Sequence, residues 1–81
     1  MFLKSGDGVW ADANDKEHNL RLFSSVTELG WVGAVFDLKG KVWVAREWAD
    51  DIESGKFRAQ EIAKAVLKNT PELRWKPNGQ K

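Results

Sequence analysis

Cysteine is absent from the 81 residues, which excludes disulfide staples and thiolate metal sites. Histidine occurs once, at His18. Long hydrophobic runs are missing too. The longest, Trp31 to Phe36, has six residues against the roughly 20 needed to span a bilayer as a helix. No Asn-x-Ser/Thr sequon occurs, and Met1-Phe2-Leu3 gives way at once to polar Lys4-Ser5-Gly6-Asp7-Gly8. These features lead us to expect no secretion signal, no membrane contact and a cytoplasmic location. Internal repeats and low-complexity tracts are also lacking.

What is present is aromatic bulk. Five Trp and four Phe can each bury roughly 150–250 Å². In a chain this short, whose core is thin, they take the place of staples. The length fits one domain. We expect residues 1–76 to form it and residues 77–81 to be a flexible tail.

Net charge is only +1, but it is unevenly spread. Residues 1–55 carry ten acids against six bases, and residues 56–81 carry seven bases against two acids. A basic C-terminal third suits an anionic partner, although cations near a helix C-terminus also complement the helix dipole.

The N-terminal half reads as strands broken by turns. Ser5-Gly6-Asp7-Gly8 would join Phe2–Lys4 to Val9–Ala11 in a hairpin. Asp12 to Asn19 is polar and reads as a loop. From Asn19 to Ser24, Leu20 and Leu22 alternate with Arg21 and Phe23, which suits a strand. Ser25-Val26-Thr27-Glu28 has capping-box spacing, so a helical turn competes with strand there.

The strongest local signal is a hairpin from Trp31 to Trp48 around Asp37-Leu38-Lys39-Gly40-Lys41. A three-residue loop would put Gly40 at the position of positive φ and Asp37 opposite Lys41. That register places Val32, Ala34 and Phe36 on one face with Val42 and Val44. Trp31, Val35, Trp43 and Ala45 fall on the other, beside Asp37, Lys41 and Glu47. Both faces carry apolar bulk, more than one helix can cover.

That helix follows. Phe57, Ala59, Ile62, Ala63, Val66 and Leu67 recur at three- and four-residue spacing, with Arg58, Glu61, Lys64 and Lys68 outside. Ser54 or Asp50 is the expected cap. A start beyond Gly55 is favoured because a helical Gly costs about 1 kcal/mol. Thr70-Pro71 should end it, after which Leu73 and Trp75 dock on the core. The expected fold is therefore α+β: an antiparallel sheet of three to five strands with one principal C-terminal helix on one face.

Catalytic constellations are lacking. Asp12, Asp15, Glu17 and His18 match no metal-ligand frame and read as a solvated loop. One loop His with Ser24, Ser25 or Ser54 makes no triad, and Gly6 and Gly8 make no phosphate loop. We expect no enzyme activity, cofactor, metal or small-molecule substrate, and instead a binding module.

Two partner classes fit. Trp31 and Trp43 with Lys39, Lys41 and Arg46, together with Arg58, Lys64 and Lys68 on the helix, suit nucleic acid, single strands included, whose bases stack on aromatic rings while cations track phosphates. The segment Asp37 to Val42 followed by Arg46-Glu47-Trp48 locally resembles a hairpin of the PC4-type single-stranded-DNA-binding coactivators. The alternative is a protein partner, met through the acidic patch Glu47, Asp50, Asp51 and Glu53. In size and style the chain resembles small phage-encoded inhibitors such as anti-CRISPR proteins, which implies an inhibitor or adaptor role.

Overall fold

Alternation along one strand decides which side of the sheet becomes core. Leu20, Leu22 and Ser24 are fully buried, while Arg21 and Phe23 between them are only partly so, as period-two geometry requires of a sheet with one covered face. The computed structural model of the chain describes residues 8–67 and 72–77. Its elements are β1 (Gly8–Asn14), β2 (Asn19–Thr27), β3 (Gly30–Asp37), β4 (Val42–Ala49), α1 (Ile52–Val66) and β5 (Lys76–Pro77). The five strands form one antiparallel sheet in the order β4-β3-β2-β1-β5. The helix packs across one face, giving the expected α+β architecture.

Register carries the pattern of β2 across the sheet. Ala11 and Ala13 of β1 lie opposite Leu22 and Leu20, Val35 of β3 lies opposite Leu22, and Ala45 of β4 lies opposite Val35. On this side Ala13, Leu20, Leu22 and Val35 form the core with Ala59, Ala63 and Leu67 of the helix. Ile62, Val66, Leu73 and Trp75 pack around them. The helical stripe and the docking of Leu73 and Trp75 therefore match expectation. Phe57 does not: it points away from the sheet and is 59% exposed.

The helix also begins earlier than expected. Asp51, rather than Ser54 or Asp50, is the cap, its carboxylate accepting from the Ser54 amide at 2.8 Å. Such a bond satisfies one of the helix's unpaired first-turn donors. Gly55 lies inside the helix because nothing larger fits. A Cβ there would collide with the Ser24 hydroxyl, and a Cβ on Gly33 would collide with the Gly55 carbonyl. The two glycines let the helix descend onto β2 and β3, where Ser24 Oγ donates to the Ile52 carbonyl at 2.7 Å. This close approach outweighs the propensity cost.

Between Asn19 and Gly30 strand wins outright. β2 runs through Ser25, Val26 and Thr27, and a two-residue turn at Glu28-Leu29 leads into β3. Thr27 Oγ1 holds that turn, donating to the Gly30 carbonyl at 2.9 Å and accepting from the Leu29 amide at 3.1 Å. β1 extends through Asp12 to Asn14, so the polar loop shrinks to residues 15–18. Lys76 and Pro77 pair with Trp10 and Val9. The helix ends at Val66, earlier than the expected stop at Thr70-Pro71: Leu67 is already extended, and its amide donates to the Ala63 carbonyl as the C-cap. The expected arm Phe2–Lys4, Lys68 and residues 78–81 lie outside the described residues.

Candidate functional site

The β3–β4 hairpin departs from its expected register in two places, and together they reposition one tryptophan. Asp37 lies opposite Val42, not Lys41, so the loop holds four residues. Asp37 still organises it: its carboxylate accepts from the Lys39 and Gly40 amides, each at 3.0 Å, and its carbonyl from the Lys41 amide at 2.7 Å. The residue of positive φ is Lys41, at 59°, rather than Gly40. One extra loop residue flips the facing of the strand that follows. Phe36 then lies opposite Trp43, while Val35 lies opposite Ala45, leaving Val44 as a bulge between them. The bulge restores the expected facing from Ala45 onward.

Trp31 and Trp43 consequently part company. Trp31 lies opposite Val26 and Ala49 on the helix side, with Val35 and Ala45. Trp43 joins Val32, Ala34 and Phe36 on the opposite side, which no described element covers. Its ring sits 5.0 Å from Phe36 and 5.7 Å from Phe23, measured between centroids. Phe23 is paired with Ala34, whose side chain on this open side is nonetheless only 3% exposed. Trp43 is thus held against two aromatic rings while 46% of its own surface remains open.

Cross-strand pairing draws a continuous row over this face: Lys76 of β5, Trp10 of β1, Phe23 of β2, Ala34 of β3 and Arg46 of β4. Four strand spacings of ~4.8 Å make it roughly 19 Å long. A cation stands at each end and aromatic carbon lies between. Lys76 Nζ lies 5.2 Å from the Trp10 ring centre, and the Arg46 guanidinium 5.8 Å from that of Trp43. A second row runs Asp12, Arg21, Phe36, Trp43. Here the Arg21 guanidinium lies over Trp10 at 4.4 Å and donates to both oxygens of Asp12, at 2.7 and 3.1 Å. The bond to Asp12 raises the Arg21 pKa, slight burial opposes the rise, and the carboxylate's charge adds to it. Trp48, 60% exposed, lies opposite Val32 on the same side. With Thr27, Val32 and Arg46 it borders an open hollow of about 280 Å³.

The remaining anticipated residues scatter. Lys39 and Lys41 are exposed at the hairpin tip. Arg58 and Lys64 are on the helix, across the sheet from Trp43, and reach Glu47 and Glu61 respectively at 3.6 Å. One ligand surface therefore cannot join the helix cations to the aromatic face. Of the acidic segment, Asp51 caps the helix, Glu47 meets Arg58, and Glu53 meets Lys56 at 3.3 Å. Asp50 is exposed. In the loop of residues 15–18, Asp15 Oδ1 accepts from the Glu17 and His18 amides at 2.8 and 2.7 Å. No group of three potential metal ligands occurs among the described residues, and no described helix is long and apolar enough to cross a membrane.

Sequence reasoning passed over Trp10, Phe23, Trp48, Arg21 and Lys76. For Trp48 a signal existed, because it keeps step with Val32 and Ala34 along the hairpin. Trp10 and Lys76 gave none, since their meeting depends on β5 returning to β1. The chain matches no protein-family model, and no curated protein and no solved structure matches it either.

Proposed function

We propose that the chain binds single-stranded nucleic acid on the open face of its sheet. The row from Lys76 through Trp10, Phe23 and Ala34 to Arg46, with Trp43 packed against Phe23, is the observation that carries this reading. Exposed indoles offer flat hydrocarbon on which unpaired bases stack, worth about 1–3 kcal/mol per base. Phosphates on either side meet Arg46 and Lys76, with Lys39 and Lys41 extending the cationic rim at the hairpin tip. Arg21, already tied to Asp12, holds Trp10 in place rather than meeting a phosphate. A broad sheet face suits splayed-out bases better than the grooves of a duplex. The acidic segment, by contrast, is mostly engaged by the chain's own cations and helix terminus, which weakens the protein-inhibitor reading.

Titration with short single- and double-stranded oligonucleotides, followed by Trp fluorescence, tests the proposal. Neutralising four phosphates on a single strand gives a log–log salt slope near −2.8, so affinity should fall roughly 50-fold between 50 and 200 mM salt. Duplex of the same sequence should bind more weakly. The absence of any fluorescence change at low salt and tens of micromolar protein would refute the reading.

A further inference from the structure

The two edges of the sheet are unlike. Among the described residues β5 ends one side with two residues, the second of them Pro77, a residue that cannot donate to a further strand. β4 ends the other with eight residues, nearly all exposed and without proline. A long unpaired edge is a template for another strand, and proteins usually blunt it with proline, lysine or a bulge. Here the bulge at Val44 interrupts only the first half. Ala45-Arg46-Glu47-Trp48-Ala49 remains regular and has no neighbour on its outer side among the described residues.

We propose that this five-residue segment pairs antiparallel with the same segment of a second copy of the chain, about a two-fold axis at Glu47. Paired residues must share a face, and this register satisfies that condition with complementary contacts. On the open face Arg46 of each copy lies opposite Trp48 of the other, giving two cation–π contacts of a kind Arg46 already makes with Trp43 at 5.8 Å. On the helix face Ala45 lies opposite Ala49, both small enough for close approach. The two Glu47 carboxylates meet at the axis, each attended by its own Arg58 at 3.6 Å, so that two acids and two bases balance. An axis at Arg46 would instead set guanidinium against guanidinium, and an axis at Trp48 would pair only three strand residues. The two open faces would join in one ten-stranded sheet.

Light scattering after gel filtration of the full chain, without oligonucleotide, tests the dimer from micromolar to millimolar concentration. We expect a concentration-dependent mass approaching twice that of one chain. Trp48→Arg places like charges opposite each other twice and should weaken dimerisation roughly tenfold or more. Trp48→Glu, which would meet Arg46 of the other copy, should dimerise at least as well as the parent. Trp48 is largely exposed, so both variants should keep the parental circular dichroism. Were Trp48→Arg to misfold, Glu47→Lys gathers four cations at the axis and should likewise yield monomer. A parent that stays monomeric throughout, or a Trp48→Arg variant dimerising like the parent, overturns the proposal. Stronger dimerisation of Trp48→Arg than of Trp48→Glu overturns the register.

Discussion

Replacing Gly55 by Ala sets two effects of opposite sign against each other, and the packing decides between them. In an exposed helix the change would stabilise by about 1 kcal/mol. Here the new Cβ lands on the Ser24 hydroxyl and 3.1 Å from the Ser24 Cβ. Ser24 is fully buried and its hydroxyl is bonded to the Ile52 carbonyl at 2.7 Å. Either the hydroxyl turns away and leaves buried groups unpaired, at about 1–3 kcal/mol, or the helix lifts and strains the core, at a similar about 1–3 kcal/mol. Subtracting the propensity gain leaves a net loss of roughly 0–2 kcal/mol, centred near 1, which lowers the melting temperature by about 4–8 °C in a domain of this size. Urea melts of the parent, Gly55→Ala, Ser24→Ala and the double variant would measure it. The double variant should be more stable than the sum of the singles predicts, because the hydroxyl no longer occupies the contested space. A Gly55→Ala protein stabilised by the full helical increment would refute the close approach of helix and sheet.

Other expectations follow from the same geometry. Trp43→Ala should weaken single-strand binding by about 1–3 kcal/mol, whereas Trp31→Phe, on the helix side, should leave the affinity near the parental value; fluorescence titration of both compares the two faces. Arg46→Gln and Lys76→Gln should each make the salt slope shallower by about 0.7, read from affinities at several ionic strengths. Asp51→Ala removes the helix cap and should cost about 0.5–2 kcal/mol in urea melts, with oligonucleotide affinity unchanged under conditions where the variant is folded.

Local patterns carried much of the fold because they reflect local physics. The 3.6-residue recurrence of Ala59, Ala63 and Leu67 marks the buried stripe directly, and the alternation of Leu20 and Leu22 marks the covered side of β2. The helix start was hidden because propensity alone argues against Gly55. Only the crossing of Gly33 beneath it, 22 positions earlier in the chain, explains the choice. Phe57 has helical spacing but sits on the outer side, and spacing within one turn does not separate the two. The site was harder to read. Lys41 takes a backbone conformation that Gly40 was better suited to, and Val44 bulges with no glycine to mark it. Each shift is a single residue, yet in a structure of period two a single residue exchanges inside for outside. Trp43 therefore stands with Phe23 and Phe36, not with Trp31.

The placement of the helix divides the sheet into a side that holds the fold together and a side that no described element covers. Leu20, Leu22 and Val35 of the sheet and Ala59 and Ala63 of the helix secure folding where the two meet, while Trp10, Trp43, Arg46 and Trp48 occupy positions across the sheet. Exchanging outward-facing side chains should accordingly change what that face presents while leaving the scaffold behind it in place.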